Sequence, residues 1–460
     1  MAIELSNLTF TDHADVVPVS GVEEIVNTGI ANTLAGNDTV IGTKEINIDT
    51  PPQNRFGSIF NSGTLNTADG SDIITGTINR REIPFIPPDQ DYDYYIFYDN
   101  YYSAYSSGIY NIGSIYTGEG DDRITGSNEA VSSLGYDYGI YTEGGTIDTG
   151  DGNDIIAGIT QKGRGIYSSN STINTGDGND TITASTLDFY GLAIQGTGGI
   201  DTGKGNDIIT GTASFSGIFN YFDTFLNTSD GNDIITGNTT KLGYALANFG
   251  FMDTGEGNDI ITGSNIDEAD GILDDGGIGL LNGGEFDGFM YTGDGNDTIT
   301  GIATATNNGI GLINNDTYTI DTGNGNDIIT GTADTGVGIL NEGTINTGNG
   351  NDSIIANGGF DLGLYGIGRG KVFLGNGKDY LKGFGNGSFK GGNGQDTLEL
   401  TSGIYTIEIS ETAVNFTQPS SSPFDNRRVI MITSEFEKLI AGSTTYNFSS
   451  LTNGQTIVVT

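Results

Sequence analysis

The 460-residue chain contains no cysteine. That excludes disulfides, a thiol nucleophile and a thiolate metal site. It contains one histidine, His13, in an N-terminal segment where a structural role outweighs a catalytic one. Basic residues are scarce: 17 Lys+Arg stand against 59 Asp+Glu, a net charge of −42. A chain this acidic is not expected to bind nucleic acid, whose phosphates it would repel. No run of 18 apolar residues marks a membrane span. The start, MAIELSNLTFTDHADVV, lacks the basic and then apolar regions of a cleaved signal. Proline is rare at 8 residues while glycine reaches 76 without a three-residue register, so the glycines mark turns and not a collagen helix.

What is abundant is one phrase. Thr149-Gly150-Asp151-Gly152-Asn153-Asp154-Ile155-Ile156 returns at Thr175 to Ile182, Thr202 to Ile209, Thr254 to Ile261 and Thr322 to Ile329. Looser copies begin at Thr67, Thr117 and Gly391. Its aspartates are Asp72, Asp122, Asp154, Asp180, Asp207, Asp233, Asp259, Asp297, Asp327, Asp352, Asp379 and Asp396, mostly 25 to 27 residues apart. A fixed period of this length specifies stacked repeats. Each repeat holds three brief apolar β runs between glycine turns, too short for helices.

The expected fold is therefore all-β: a right-handed parallel β-helix or β-roll solenoid, three short strands per coil, with a β-rich C-terminal cap. Residues 1–28 read as an N-terminal cap, 29–400 as solenoid and 401–460 as the C-terminal cap. One inward column is expected through Ile109, Ile140, Ile166, Leu192, Ile218 and Ile339. A second runs through Leu65, Ile115, Ile147, Ile173, Ile200, Leu226, Met252, Ile320 and Ile345. Asn111, Asn220, Asn282, Asn314 and Asn341 are placed to form an asparagine ladder at a turn. Two segments break the rhythm. Residues 80–107 are tyrosine-rich and read as a contact loop or as a flap on the solenoid. Residues 265–279 form an acidic loop.

The phrase has a chemistry. Its glycines allow sharp turns that aim carbonyls at one spot, and its aspartate adds a hard anionic oxygen. Carbonyls and carboxylates at a turn suit Ca²⁺ better than Mg²⁺, and the absence of soft ligands argues against zinc, copper or iron. The candidate ligands are the twelve aspartates above with the glycine pairs Gly150 and Gly152, Gly176 and Gly178, Gly203 and Gly205, Gly255 and Gly257, Gly293 and Gly295, Gly323 and Gly325, Gly348 and Gly350, and Gly392 and Gly394. Aspartates stacked about 5 Å apart repel by roughly 3 kcal/mol per pair at an effective dielectric of 20. Two outcomes follow: cations sit between the coils, or the carboxylates splay into solvent. Plain Asn/Asp turn chemistry is the competing explanation of the motif.

Gly391-Gly392-Asn393-Gly394-Gln395-Asp396-Thr397-Leu398-Glu399 resembles the nonapeptide of the RTX, or haemolysin-type calcium-binding, repeat family. Most other copies carry threonine in place of the first glycine, and they occur once per coil of about 26 residues where the family strings nonapeptides in tandem. The resemblance covers roughly residues 60–400. It implies multiple Ca²⁺ ions as cofactors, export by type I secretion through an uncleaved C-terminal signal, an extracellular or cell-surface location, and folding on meeting calcium.

An enzyme is not expected. Parallel β-helices do host polysaccharide lyases, epimerases and hydrolases, yet the basic residues are scattered and no one carboxylate pair can be singled out. The other alternative is a binding face. In Ile73-Ile74-Thr75 and its copies at Ile208, Ile234, Ile260 and Ile328, an inward second isoleucine turns the first isoleucine and the threonine outward. That stripe would suit a sister rod, a glycan or an ice-like surface. The favoured reading is a secreted calcium-binding structural or surface-layer-type solenoid, with adhesion second.

Overall fold

The computed structural model describes residues 2–18, 23–46, 56–80, 106–129, 137–241, 243–266, 277–284, 288–304, 309–334, 336–358, 370–419 and 428–460. The tyrosine-rich stretch and the acidic loop, apart from their flanks, lie outside these residues. The described chain is β throughout, with two 3-10 turns at Leu5–Asn7 and Phe448–Ser450 and no α-helix. It divides into two compact units. One comprises Met1–Gly203 and Gly211–Ala213, the other Lys204–Thr210 and Ser214–Thr460.

Both units are parallel β-solenoids with three strands per coil. In the first unit, Phe56–Asn61, Ser106–Asn111, Asp137–Glu143, Arg164–Ser169 and Tyr190–Gln195 pair in parallel as the first strands of successive coils. Thr64–Asn66, Ser114–Tyr116, Thr146–Asp148, Thr172–Asn174 and Gly198–Asp201 stack as second strands. Ile73–Arg80, Arg123–Asn128, Ile155–Thr160 and Thr181–Thr186 stack as third strands. The N-terminal residues extend these same sheets: Ile3–Glu4 pairs with Ile25–Asn27, and Val16–Val17 with Thr39–Ile46.

The second unit repeats the scheme. Its first strands are Ser216–Asn220, Tyr244–Asn248, Ile278–Asn282, Ile310–Asn314 and Val337–Asn341. Its third strands run from Ile234–Thr239 through Ile260–Asn265, Thr298–Ala303 and Ile328–Ala333 to Ser353–Gly358. The repeat ends in an antiparallel cap, in which Gly403–Ile409 pairs with Val414–Pro419 and Thr456–Val459. The cap joins the solenoid where Arg428–Ser434 adds in parallel to Gly387–Lys390.

The expected columns are the core. Every residue named for the two inward columns is fully buried, and so is the second isoleucine of each Ile-Ile pair: Ile74, Ile209, Ile235, Ile261 and Ile329. Burying one such side chain contributes about 1.5–3 kcal/mol, so the stack draws its stability from many small equal increments. The asparagine ladder is present and longer than expected. Nδ2 of Asn27 donates to Oδ1 of Asn61, Asn61 to Asn111, Asn220 to Asn248, Asn248 to Asn282, Asn282 to Asn314, and Asn314 to Asn341, at 2.8–2.9 Å. Thr142 and Ser168 hold the corresponding buried place in two coils.

Glycines set the thickness of the solenoid. In the third strands, an inward Cβ at Gly331 would lie 2.1 Å from the carbonyl oxygen of Gly338 in the next strand of the chain. First and third strands therefore meet backbone to backbone at this level. The outer face of the first strands is covered. Tyr110, Tyr138 and Tyr141 stack there in the first unit, with Phe60 and Tyr167 packed against them. The outer face of the third strands is open: Ile73, Ile208, Ile234, Ile260 and Ile328 are 36–43% exposed.

Candidate metal centre

The repeated phrase forms the corner that leads from the second strand of a coil into the third. Its first glycine takes a left-handed conformation, as at Gly150 (φ 79°) and Gly323 (φ 74°). Ala68 and Ser229 hold the same conformation where the glycine is missing. The second glycine answers a different need. A Cβ on Gly152 would lie 1.8 Å from the carbonyl oxygen of Gly120 in the preceding coil. Glycine carbonyls thus stack directly along the corner, and a side chain there would push the coils apart.

All twelve motif aspartates are buried, at 0–2% exposure. They do not splay into solvent. In coil after coil the carboxylate instead accepts the backbone N–H of the aspartate one coil earlier. Asp72 N–H donates to Asp122 Oδ1 (2.6 Å), Asp122 to Asp154 (2.8 Å), Asp207 to Asp233 (2.8 Å), Asp233 to Asp259 (2.8 Å) and Asp352 to Asp379 (2.9 Å). The ladder starts earlier than the motif suggested, because Asp38 accepts from Asp15 N–H and donates to Asp72. It ends at Asp396, whose N–H donates to Glu437 Oε2 at 2.7 Å. Glu437, in the cap, stands where the next coil's aspartate would be.

The second carboxylate oxygen distinguishes the coils. In three of them a buried motif threonine donates to it: Thr254 to Asp259, Thr292 to Asp297 and Thr322 to Asp327, at 2.6–2.7 Å. In Asp38, Asp72, Asp122, Asp154, Asp233, Asp352, Asp379 and Asp396, Oδ2 is buried and accepts no hydrogen bond of ordinary geometry among the described residues, although in all but the last two the motif threonine hydroxyl stands close enough to favour the ionised carboxyl. Asp379 and Asp396 have Leu374 and Gly391 at the threonine position, so no hydroxyl is available there.

Burial raises these carboxyls. Desolvation, only partly offset by the backbone amide and, except at Asp379, by the neighbouring threonine, pushes Asp122, Asp233, Asp259, Asp297 and Asp352 to about 7, and Asp72, Asp154 and Asp379 to about 6. Asp38, Asp327 and Asp396 move in the same direction. For Asp396, Glu437 and Glu435 add repulsion to burial. Such a group is neutralised by a proton or by a bound cation. The proton is a third outcome that sequence spacing did not reveal.

The donor set fits a hard cation. It consists of orphaned buried carboxylate oxygens, stacked glycine carbonyls and nothing soft. Among the described residues no three His, Cys, Asp or Glu side chains converge on one point. An ion here would take one or two carboxylate oxygens and complete its shell from carbonyls and water.

Sequence reasoning missed two features of the corner. Outside the buried aspartates runs an exposed ladder of motif asparagines, with Asn179 Nδ2 donating to Asn153, Asn232 to Asn206, Asn258 to Asn232 and Asn296 to Asn258 at 2.8–3.0 Å. Its signal was the asparagine that recurs before the motif aspartate in coil after coil, since like residues in register stack into a ladder. The other is the threonine–aspartate pair, five residues apart, signalled by the invariant spacing within the phrase. No protein-family model matches this chain, and no curated protein sequence matches it.

Proposed function

We propose that this chain is a calcium-binding structural solenoid whose folding is coupled to ion uptake, and that it works outside the cell. The observation that carries this reading is the column of buried aspartate Oδ2 atoms that accept no ordinary hydrogen bond, at the same corner of the coil as the stacked glycine carbonyls. A buried ionised carboxylate with an unmet oxygen is costly, and a divalent ion relieves several at once. The end near Asp379 and Asp396 is the first to fill. It lacks the competing threonines, and Glu437 adds negative charge beside it, while Glu435 is paired with Lys390 at 3.2 Å. Where calcium is scarce the unpaired carboxylates hold the chain open; binding to the folded state alone then drives folding. A chain with no thiol to oxidise and a large cation capacity suits a calcium-rich, oxidising exterior.

Circular dichroism of the full chain in chelator, titrated with Ca²⁺ and then with Mg²⁺, tests the reading. The expected result is a coil-to-β transition at lower Ca²⁺ than Mg²⁺, with several ions bound by isothermal titration. A solenoid fully folded in chelator at pH 8, with no calcium heat, overturns it and leaves the aspartates as a hydrogen-bonded turn lock.

A further inference from the structure

The third strands of the second unit present a face that the calcium reading does not use. Along Ile234–Thr239, Ile260–Asn265, Thr298–Ala303, Ile328–Ala333 and Ser353–Gly358, three residues per strand point outward in register. The middle column is Thr236, Thr262, Thr300, Thr330 and Ile355. None of the fifteen outward residues is charged, in a chain of net charge −42. The bare region stops at the next two strands, where Lys382 and Glu399 pair at 3.6 Å. Its edge at the motif corner is acidic on balance, with Glu256 and Asp294 exposed and Asp230 paired to Lys204 at 3.0 Å. Among the described residues, the opposite edge carries Lys241 and Asp334.

We propose that this face binds a second copy of the chain, face to face, with the two solenoid axes pointing the same way. Charge selects both the occupant and the arrangement. Two bare faces can meet without bringing carboxylates together. A two-fold axis along the solenoid reverses the strands of one copy, so the acidic edges fall on opposite sides and Lys241 faces the acidic edge of the other copy. A two-fold axis along the strands sets both acidic edges side by side, where they repel. Size sets the strength. Five strands at about 4.8 Å spacing and a strand width of about 17 Å give roughly 400 Å² per copy. That is about half of the roughly 800 Å² per partner of a standard interface. The face also lacks the tyrosine, tryptophan and arginine that dominate tight interfaces. The association is therefore weak and concentration-dependent.

The test uses the full chain in saturating calcium, and again in chelator with high salt, each checked by circular dichroism for fold. Analytical ultracentrifugation across a concentration series is expected to show reversible dimerisation. T300K, which places an unpaired charge at the centre of the face, lowers the association constant about tenfold or more with an unchanged spectrum. Orientation is read by cross-linking, because the natural chain has no cysteine. Thr236→Cys lies near one end of the face, so it forms a self-linked disulfide dimer only when the axes run the same way. A monomer at every concentration, a T300K dimer as strong as the wild type, or a Thr236→Cys protein that never self-links overturns the proposal. Retention of the monomer on ice or on insoluble polysaccharide would give the face a different occupant and overturns it equally. Folding that ignores calcium, with dimerisation intact, refutes the calcium reading alone.

Discussion

Asp233→Asn is expected to change sign with calcium. Asn keeps an Oδ1 acceptor for the Asp207 N–H, 2.8 Å away, and keeps the volume of the corner. It removes the charge from a site where burial pushes the carboxyl from 3.8 to about 7. A displacement of about three pH units corresponds to about 4 kcal/mol of penalty on the ionised form at pH 8. Burying the replacement amide returns about 1–3 kcal/mol of that. In chelator at pH 8, D233N should therefore be more stable than wild type by about 1–3 kcal/mol. With calcium at about 1,000 times the dissociation constant, the wild-type site gains about 4.1 kcal/mol that the variant forfeits, and D233N should be the less stable protein. Urea titrations followed by circular dichroism, with and without calcium, measure both quantities. Equal destabilisation in the two conditions would refute the reasoning: Asp233 would then act as an anionic hydrogen-bond acceptor that needs no metal.

Three further outcomes follow from the geometry. Without calcium, the raised aspartates bind protons more tightly in the folded state, so stability is greatest near pH 4 and declines as pH rises toward about 7; with calcium the decline disappears, which thermal melts at pH 4, 5.5 and 7 will show. Asn282→Ala removes one of the two acceptors of Asn248 Nδ2 and takes the Asn282 donor from Asn314 Oδ1 and the Thr319 carbonyl inside the solenoid, with an expected loss of about 2–4 kcal/mol in urea denaturation. Gly350→Ala puts a Cβ 1.3 Å from the Gly325 carbonyl oxygen at φ 145°, and should either separate the coils, read as fast amide hydrogen exchange at Asp327 and Asp352, or prevent folding.

The fold was readable because stacking forces like residues into columns. Ile147 sits on Ile173, and Ile235 on Ile261, so period and alternation together identify the inward positions. The asparagine ladder was readable for the same reason. The direction of the motif aspartates was not. Asp154 lies in a turn, where backbone dihedrals and not strand alternation decide which way a side chain faces, and an acidic residue beside exposed Asn153 gives no hint of burial. Nor could spacing show that a threonine hydroxyl satisfies Asp259 but not Asp379, or that Glu437, forty-one residues beyond Asp396, completes the ladder. Those contacts depend on which rotamers fit a closed corner and on where the cap docks.

The corner between the third strand of one coil and the first strand of the next has a freedom that the motif corner lacks. Third strand leads to first strand across two residues from Ala213 to Ser216, across twelve from Asn265 to Ile278, and across twenty-five from Arg80 to Ser106, with the pairing registers of the flanking strands unchanged. The motif corner is fixed atom by atom, and cannot gain a residue without breaking the aspartate row. The chain is thus a scaffold with one hinge line open to grafting. Foreign peptides spliced after Thr239 or Ala333 would hang from a regular array, about 4.8 Å apart for each coil of separation, without disturbing the ion-binding edge.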